Sequence, residues 1–252
     1  MRREMMGRIF SRDLWIAAAL FAFALAVRLI LLASEPQMSR DGSYYLFQAL
    51  GRIPEDFPRI GMQAPLLPGI LKAFAACGIS PLYGGVTLNL LIGAALPLLI
   101  VRLAGDLSVS RFWCWFAGFV AAAHPQLAES SIRLERENLY VFFSVLMILA
   151  LIRGVERGKA ADFLLAGGAG AVAATARFEG WEAFPLVAVL LCVMPLIGIE
   201  ESWKRSGRAA LLFVGGWLLC FPLLLLVLRF PLTHYLSLVQ LYMVKARRAM
   251  AS

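Results

Sequence analysis

Seven apolar blocks, broken by short charged turns, constrain this chain more than any other feature. They run at about residues 14–34, 85–104, 111–125, 138–154, 162–178, 182–199 and 209–229. A stretch of about 20 apolar residues spans the hydrocarbon of a bilayer as a helix, and a soluble core needs nothing so long. The whole chain of 252 residues is 61% hydrophobic and 16% charged, against about 45–50% and about 25% in soluble domains. The expected fold is all-α: a polytopic membrane bundle of about seven transmembrane helices, forming one module over 1–252. Its core is read as about 14–229, with a C-terminal tail over 230–252.

Charge orders the blocks. Arg2, Arg3, Arg8 and Arg12 precede the first, which is longer than the apolar core of a signal peptide and reads as an uncleaved span. Arg28, near its far end, is expected to snorkel outward. Holding the N-terminus inside places three basic sets on that side: Arg102 with Arg111; Arg153, Arg157 and Lys159; and Lys204, Arg205 and Arg208. That distribution largely satisfies the positive-inside rule; the exception is the long first loop, which carries Arg40, Arg52, Arg59 and Lys72, and long exported loops are weakly constrained by charge. The other side receives a first loop over 35–84, the 125–137 turn and the 177–182 turn. Within that loop, Pro36, Pro54, Pro58, Gly51 and Gly61 mark irregular chain, Tyr44 to Gly51 reads as an interfacial helix, and Pro65 to Ala76 as a re-entrant or interfacial one.

The formal charge of +8 sits at block ends rather than in one stripe, so no nucleic-acid partner is expected. Cys77, Cys114, Cys192 and Cys220 are dispersed, with no disulfide or zinc spacing. His124 and His234 are isolated. No metal or other cofactor is expected. The Gly167, Gly168, Gly170, Ala171, Ala173, Ala174 series reads as a small-residue packing face.

Three ionisable clusters fall on the exported side. Asp41, in Ser39-Arg40-Asp41-Gly42-Ser43-Tyr44-Tyr45, reads either as the N-cap of the next helix or as a base for a hydroxyl acceptor. Glu129, Arg133, Glu137 and Tyr140 share one face if 129–140 is helical, forming a solvated ion ladder or a phosphate grip. Arg177-Phe178-Glu179-Gly180-Trp181-Glu182 packs both signs between aromatics, and arginine matches phosphate bidentately.

Four segments together resemble the N-terminal part of the GT-C superfamily of membrane glycosyltransferases, in the branch of protein mannosyltransferases, aminoarabinose transferases and Rgt-type enzymes. Arg28 is followed by Asp41-Gly42-Ser43-Tyr44-Tyr45, similar to the family's acidic residue ahead of tyrosine. Gln63-Ala64-Pro65-Leu66-Leu67-Pro68 resembles its proline-rich entry to an apolar segment. Ala123-His124-Pro125 with Glu137-Asn138-Leu139-Tyr140, and Gly167-Gly168 through Arg177-Phe178-Glu179-Gly180, resemble two further family stretches. Asp41 lacks the adjacent second acid, Ala64 replaces one proline, and Phe178 stands where the family often has proline.

The resemblance implies a donor sugar on a polyprenyl phosphate, transferred on the exported face to a lipid or cell-surface glycan or protein acceptor. It implies Asp41 as catalytic base, with Glu137, Arg177 and Glu179 at the donor phosphate and acceptor; Arg40, Tyr44 and Arg133 complete the candidate set. The implied partners are the polyprenyl-phosphate sugar and membrane lipid, and the implied location is the cell inner membrane. Family enzymes are longer, so the chain is read as a truncated frame, a minimal variant, or one half of a split enzyme with a downstream-encoded partner. A non-catalytic membrane partner binding polyprenyl lipid is the alternative. A small transporter is disfavoured because the ionisable residues gather at one end of the spans.

Overall fold

The computed structural model describes residues 14–34, 38–52, 64–200, 202–233, 235–237 and 240. The N-terminal arginines, Pro36, Pro54, Pro58, Gly61, Gln63, His234 and the segment 241–252 lie outside the described residues. All regular structure among the described residues is helical.

Among the described residues ten helices follow one another: α1 (Leu14–Ser34), α2 (Arg40–Ala49), α3 (Leu66–Ala76), α4 (Pro81–Asp106), α5 (Arg111–Ala123), α6 (Pro125–Ile132), α7 (Glu137–Arg157), α8 (Ala160–Ala176), α9 (Gly180–Val193) and α10 (Trp203–Val227). Four of them, α1, α4, α7 and α10, are long and apolar enough to cross a membrane. The helices α3, α5, α8 and α9 are apolar but shorter, at 11, 13, 17 and 14 residues. Large apolar side chains such as Trp15, Leu186, Leu211 and Leu226 stand on the outer surface, as expected of a membrane-associated bundle.

The small-residue face of α8 packs as expected. It runs beside α10 so closely that a Cβ on Gly167 would collide with the Phe213 carbonyl, and one on Gly216 with the Leu164 carbonyl. Without a hydrophobic driving force between helices in lipid, such backbone approach is what holds them. Around it, Phe163, Ala166, Ala209 and Phe213 form one buried cluster; Ala171, Ala174, Trp217 and Phe221 form another.

Two polar ends result. At one, Asp106, only 1% exposed, accepts from Arg153 Nε at 2.6 Å and lies 3.7–3.8 Å from Arg102 and Arg157. A carboxylate at a helix C-terminus meets the negative end of the dipole, and these arginines offset it. At the other end lie α2, α6, the start of α7 and the α8–α9 turn. The grouping matches the charge pattern in the sequence.

Arg28 departs from expectation. It does not snorkel outward but is fully buried, with Nη1 donating to the carbonyls of Ala24 at 2.9 Å and Ala122 at 3.2 Å. The last carbonyls of α5 lose their next-turn donors because the chain leaves the helix at His124 and Pro125 follows. Arg28 meets one of these carbonyls, where a cation also suits the helix dipole.

Candidate functional site

The α6–α7 junction builds the site. A continuous helix over 129–140 does not form: α6 ends at Ile132, Arg133 turns extended (φ −99°, ψ 154°), and α7 starts at Glu137. The break is stabilised from the core. Asn89 of α4, fully buried, donates from Nδ2 to the carbonyls of both Arg133 and Glu135 at 2.8 Å, and Asn138 donates to the Asn89 carbonyl at 2.7 Å. The non-helical turn thereby gains partners that a helix would have supplied.

Although the helical face is broken, its residues still converge. Glu129, Arg133, Glu135, Glu137, Tyr140 and Arg177 line one open cavity of about 480 Å³. Glu129 and Arg133 pair across one helical turn at 2.6 Å.

Arg177 is the hub. It ends α8 in an extended conformation, which swings its side chain off the helix axis toward α7. Nη1 donates to Glu137 Oε1 at 2.9 Å, while Nε and Nη2 grip both oxygens of Glu179 at 3.2 and 2.9 Å. Its guanidinium carbon lies 5.7 Å from the Tyr140 ring centre. The hydrogen bond to Glu179 raises the Arg177 pKa despite partial burial. Burial opposes ionisation of Glu179, but bonds from Arg177 and the backbone, with the charges of Arg177 and Arg136, outweigh it and hold the carboxyl below its usual range.

The turn carrying Arg177 and Glu179 is braced from α10 onward. The Tyr235 hydroxyl donates to the carbonyl of Ala174 in the last turn of α8 and accepts from Trp181 Nε1 at 2.8 Å. Phe178, Trp181, Trp217 and Phe221 pack around the fully buried Tyr235. Gly180 allows the turn to close: a Cβ there would lie 2.7 Å from Ala174 backbone.

From the other side comes α2, capped by Ser39 rather than Asp41: the Ser39 hydroxyl accepts from Gly42 N at 3.0 Å. Asp41 therefore sits exposed in the first turn, where an acid favours the helix dipole. Gly42 sets its place, because a Cβ would stand 2.8 Å from the Leu134 carbonyl; only a bare backbone lets α2 rest on the α6–α7 turn. Asp41 does not line the cavity, but it is near enough for its charge to act on Glu135 and Tyr45. Arg40 and Tyr44 face solvent and bond to each other, Nε to Oη at 3.0 Å, also outside the lining.

Two residues outside the candidate set contribute. Glu135 lines the cavity, and burial, aided by the charges of Glu137 and Asp41, raises its pKa against a hydrogen bond from Ser39 and the charge of Arg133. Asn89 fixes the turn. The sequence signal for Asn89 is a single amide inside an apolar block; for Glu135 there is none beyond its place in a charged run. Tyr45 is buried beneath Arg136, whose guanidinium carbon lies 6.0 Å from its ring centre, and burial raises its phenol pKa.

Chemically, the arrangement offers a fixed cation between two carboxylates, a third acid whose neutral form is favoured by burial, and an exposed acid, Asp41, whose charge reaches Glu135. It can hold an anion if a carboxylate yields its place on Arg177, and it can accept a proton at Asp41 or Glu135. No protein-family model matches the sequence, and no curated protein matches it.

Proposed function

We propose that this protein is a membrane glycosyltransferase module of the GT-C type, moving a sugar from a polyprenyl-phosphate donor to a lipid or cell-surface glycan or protein acceptor. The observation that carries the reading is the convergence of Asp41, Glu135, Glu137 and Arg177 at one end of an apolar bundle. A donor with an isoprenoid tail and a phosphate-linked sugar would need that pairing of lipid-facing helices and a polar cavity. In this reading the shorter apolar helices α5, α8 and α9 also cross while α3 stays interfacial, giving seven passes in the inner membrane. The N-terminus and the Asp106 end are cytoplasmic, and the Arg177 end is exported.

In the proposed reaction the Asp41 carboxylate takes the proton of the acceptor hydroxyl. The acceptor oxygen bonds to the anomeric carbon as the bond from that carbon to the phosphate oxygen breaks. The electron pair leaves with the polyprenyl phosphate, whose charge Arg177 stabilises, and the anomeric centre inverts.

A second reading has its own observation. Arg177 already holds two carboxylates, an arrangement equally suited to a structural lock in a non-catalytic subunit that binds polyprenyl lipid. Sugar transfer from radiolabelled polyprenyl-phosphate sugars by the purified chain in nanodiscs separates the two. Transfer by the natural chain that vanishes in Asp41→Asn supports the enzyme and its base. Full transfer by Asp41→Asn removes Asp41 from that role. Saturable carrier binding without transfer, weakened by Arg177→Ala, favours the binding partner.

A further inference from the structure

We propose that the cleft at the Asp106 end binds the phosphate headgroup of an anionic membrane lipid. The inference is independent of the glycosyltransferase reading, since this cleft and the Arg177 cavity lie at opposite ends of α7 and α8.

The cleft has a volume of about 330 Å³ and is formed where the C-terminus of α7 meets the first turns of α10. Arg157, Arg205 and Arg208 converge on it, and Phe163, Met194 and Leu212 supply an apolar wall. Arg157 is steered by Asp106, 3.8 Å from its Nη2, a buried carboxylate that also serves Arg102 and Arg153. Two acids, Glu156 and Glu200, share the lining, and Glu200 lies 3.7 Å from Arg205 while accepting from the Ser202 amide. Three guanidinium groups against two carboxylates leave the lining cationic, and Lys159 and Lys204 flank it in sequence. The first turn of α10 adds the positive end of a dipole, with no side-chain cap from Ser202.

Orienting a chain in a membrane requires only basic residues in its loops. It does not require three arginines from two helices to meet over an apolar wall. A guanidinium cluster matches phosphate oxygens, and the adjoining surface points to a lipid as their source. Leu196, Ile197, Ile199 and Trp203, all more than half exposed, lie in the same short segment as the lining residues Met194, Glu200 and Arg205. Apolar residues and a tryptophan beside a basic pocket are what an interfacial headgroup site presents.

The test uses the full chain in phosphatidylcholine nanodiscs with trace spin-labelled phosphatidylglycerol or spin-labelled phosphatidylcholine, reading the immobilised fraction by electron paramagnetic resonance. The natural chain is expected to immobilise phosphatidylglycerol preferentially. The preference should fall about fivefold for each guanidinium removed in Arg205→Ala and the Arg205→Ala/Arg208→Ala pair. Both side chains are exposed, so these variants keep the fold. Arg52→Ala/Lys72→Ala, which removes two exposed cations elsewhere, should leave it intact. Equal immobilisation of the two lipids overturns the proposal, as does a preference that the two double variants lose equally. Release of the labelled lipid by low millimolar inorganic phosphate assigns the cleft to free phosphates and overturns its assignment to lipid.

Discussion

Arg177 and Glu179, two residues apart in sequence, face each other through two N–H···O bonds of 3.2 and 2.9 Å. The fork fits because Arg177 leaves α8 in an extended conformation and the chain turns back at Gly180. Both side chains are partly exposed, so water screens the pair. A double-mutant cycle on Arg177→Ala and Glu179→Gln, read by urea unfolding in detergent, is expected to give a coupling of about 1 kcal/mol. No coupling would mean that the fork adds nothing to stability.

The same pair sets a pH dependence. Glu179 has a depressed pKa in the folded protein, so its stabilisation is present above the unfolded carboxylate value and is lost as pH falls through the lower folded one. Glu135 has a raised pKa, so its ionisation weakens the fold at neutral pH and protonation on acidification relieves it. Melting curves should show Glu179→Gln destabilised at pH 7, with the deficit vanishing in acid. Glu135→Gln should be stabilised at pH 7, with that gain also vanishing in acid.

Tyr235→Phe removes one hydroxyl that serves both Ala174 and Trp181. A buried carbonyl and an indole N–H lose their partner, at a cost of about 1–3 kcal/mol. Because the hydroxyl joins the end of α8 to the start of α9, hydrogen exchange should quicken at 177–181 before it does in α4. Uniform loosening across the bundle would contradict a local brace.

Arg28→Ala leaves the Ala122 carbonyl without its side-chain donor. Thermal unfolding in detergent is expected to show a loss of about 1–3 kcal/mol. The exposed Arg52→Ala should stay within about 0.5 kcal/mol of the natural chain. Equal effects would remove the capping role.

Gly167→Ala forces α8 from α10, since the new methyl would collide with Phe213 backbone, which cannot rotate away. A cost of about 1–3 kcal/mol follows. Gly215→Ala on α10, where a Cβ meets nothing within 4 Å, should be neutral or slightly stabilising. Comparable losses at both sites would contradict close packing as the role of Gly167.

Much of the helical layout was legible because hydropathy and helix breakers act locally. The first block, 14–34, matches α1 end to end, and every other expected span has a helix in its place. The interfacial reading of 65–76 corresponds to α3, though its helix buries Leu66, Leu67 and Leu71 against neighbours. Charge grouping was legible for a similar reason: long helices packed side by side carry their two ends to opposite ends of the bundle, so alternate turns collect together.

The sequence by itself determined the all-helical, membrane-associated character, the basic end around Arg102, Arg153 and Arg157, and the candidate polar residues of the other end. Tertiary structure alone decided which of those residues meet. Ser39 rather than Asp41 caps α2, Arg28 turns inward to α5, and the 129–140 face breaks because Asn89, more than forty residues away, takes the carbonyls of Arg133 and Glu135. Each outcome rests on a hydrogen bond or a close backbone approach between distant segments. Local propensity cannot specify such contacts, since a polar group's partner is whichever donor or acceptor the packed bundle brings within about 3 Å.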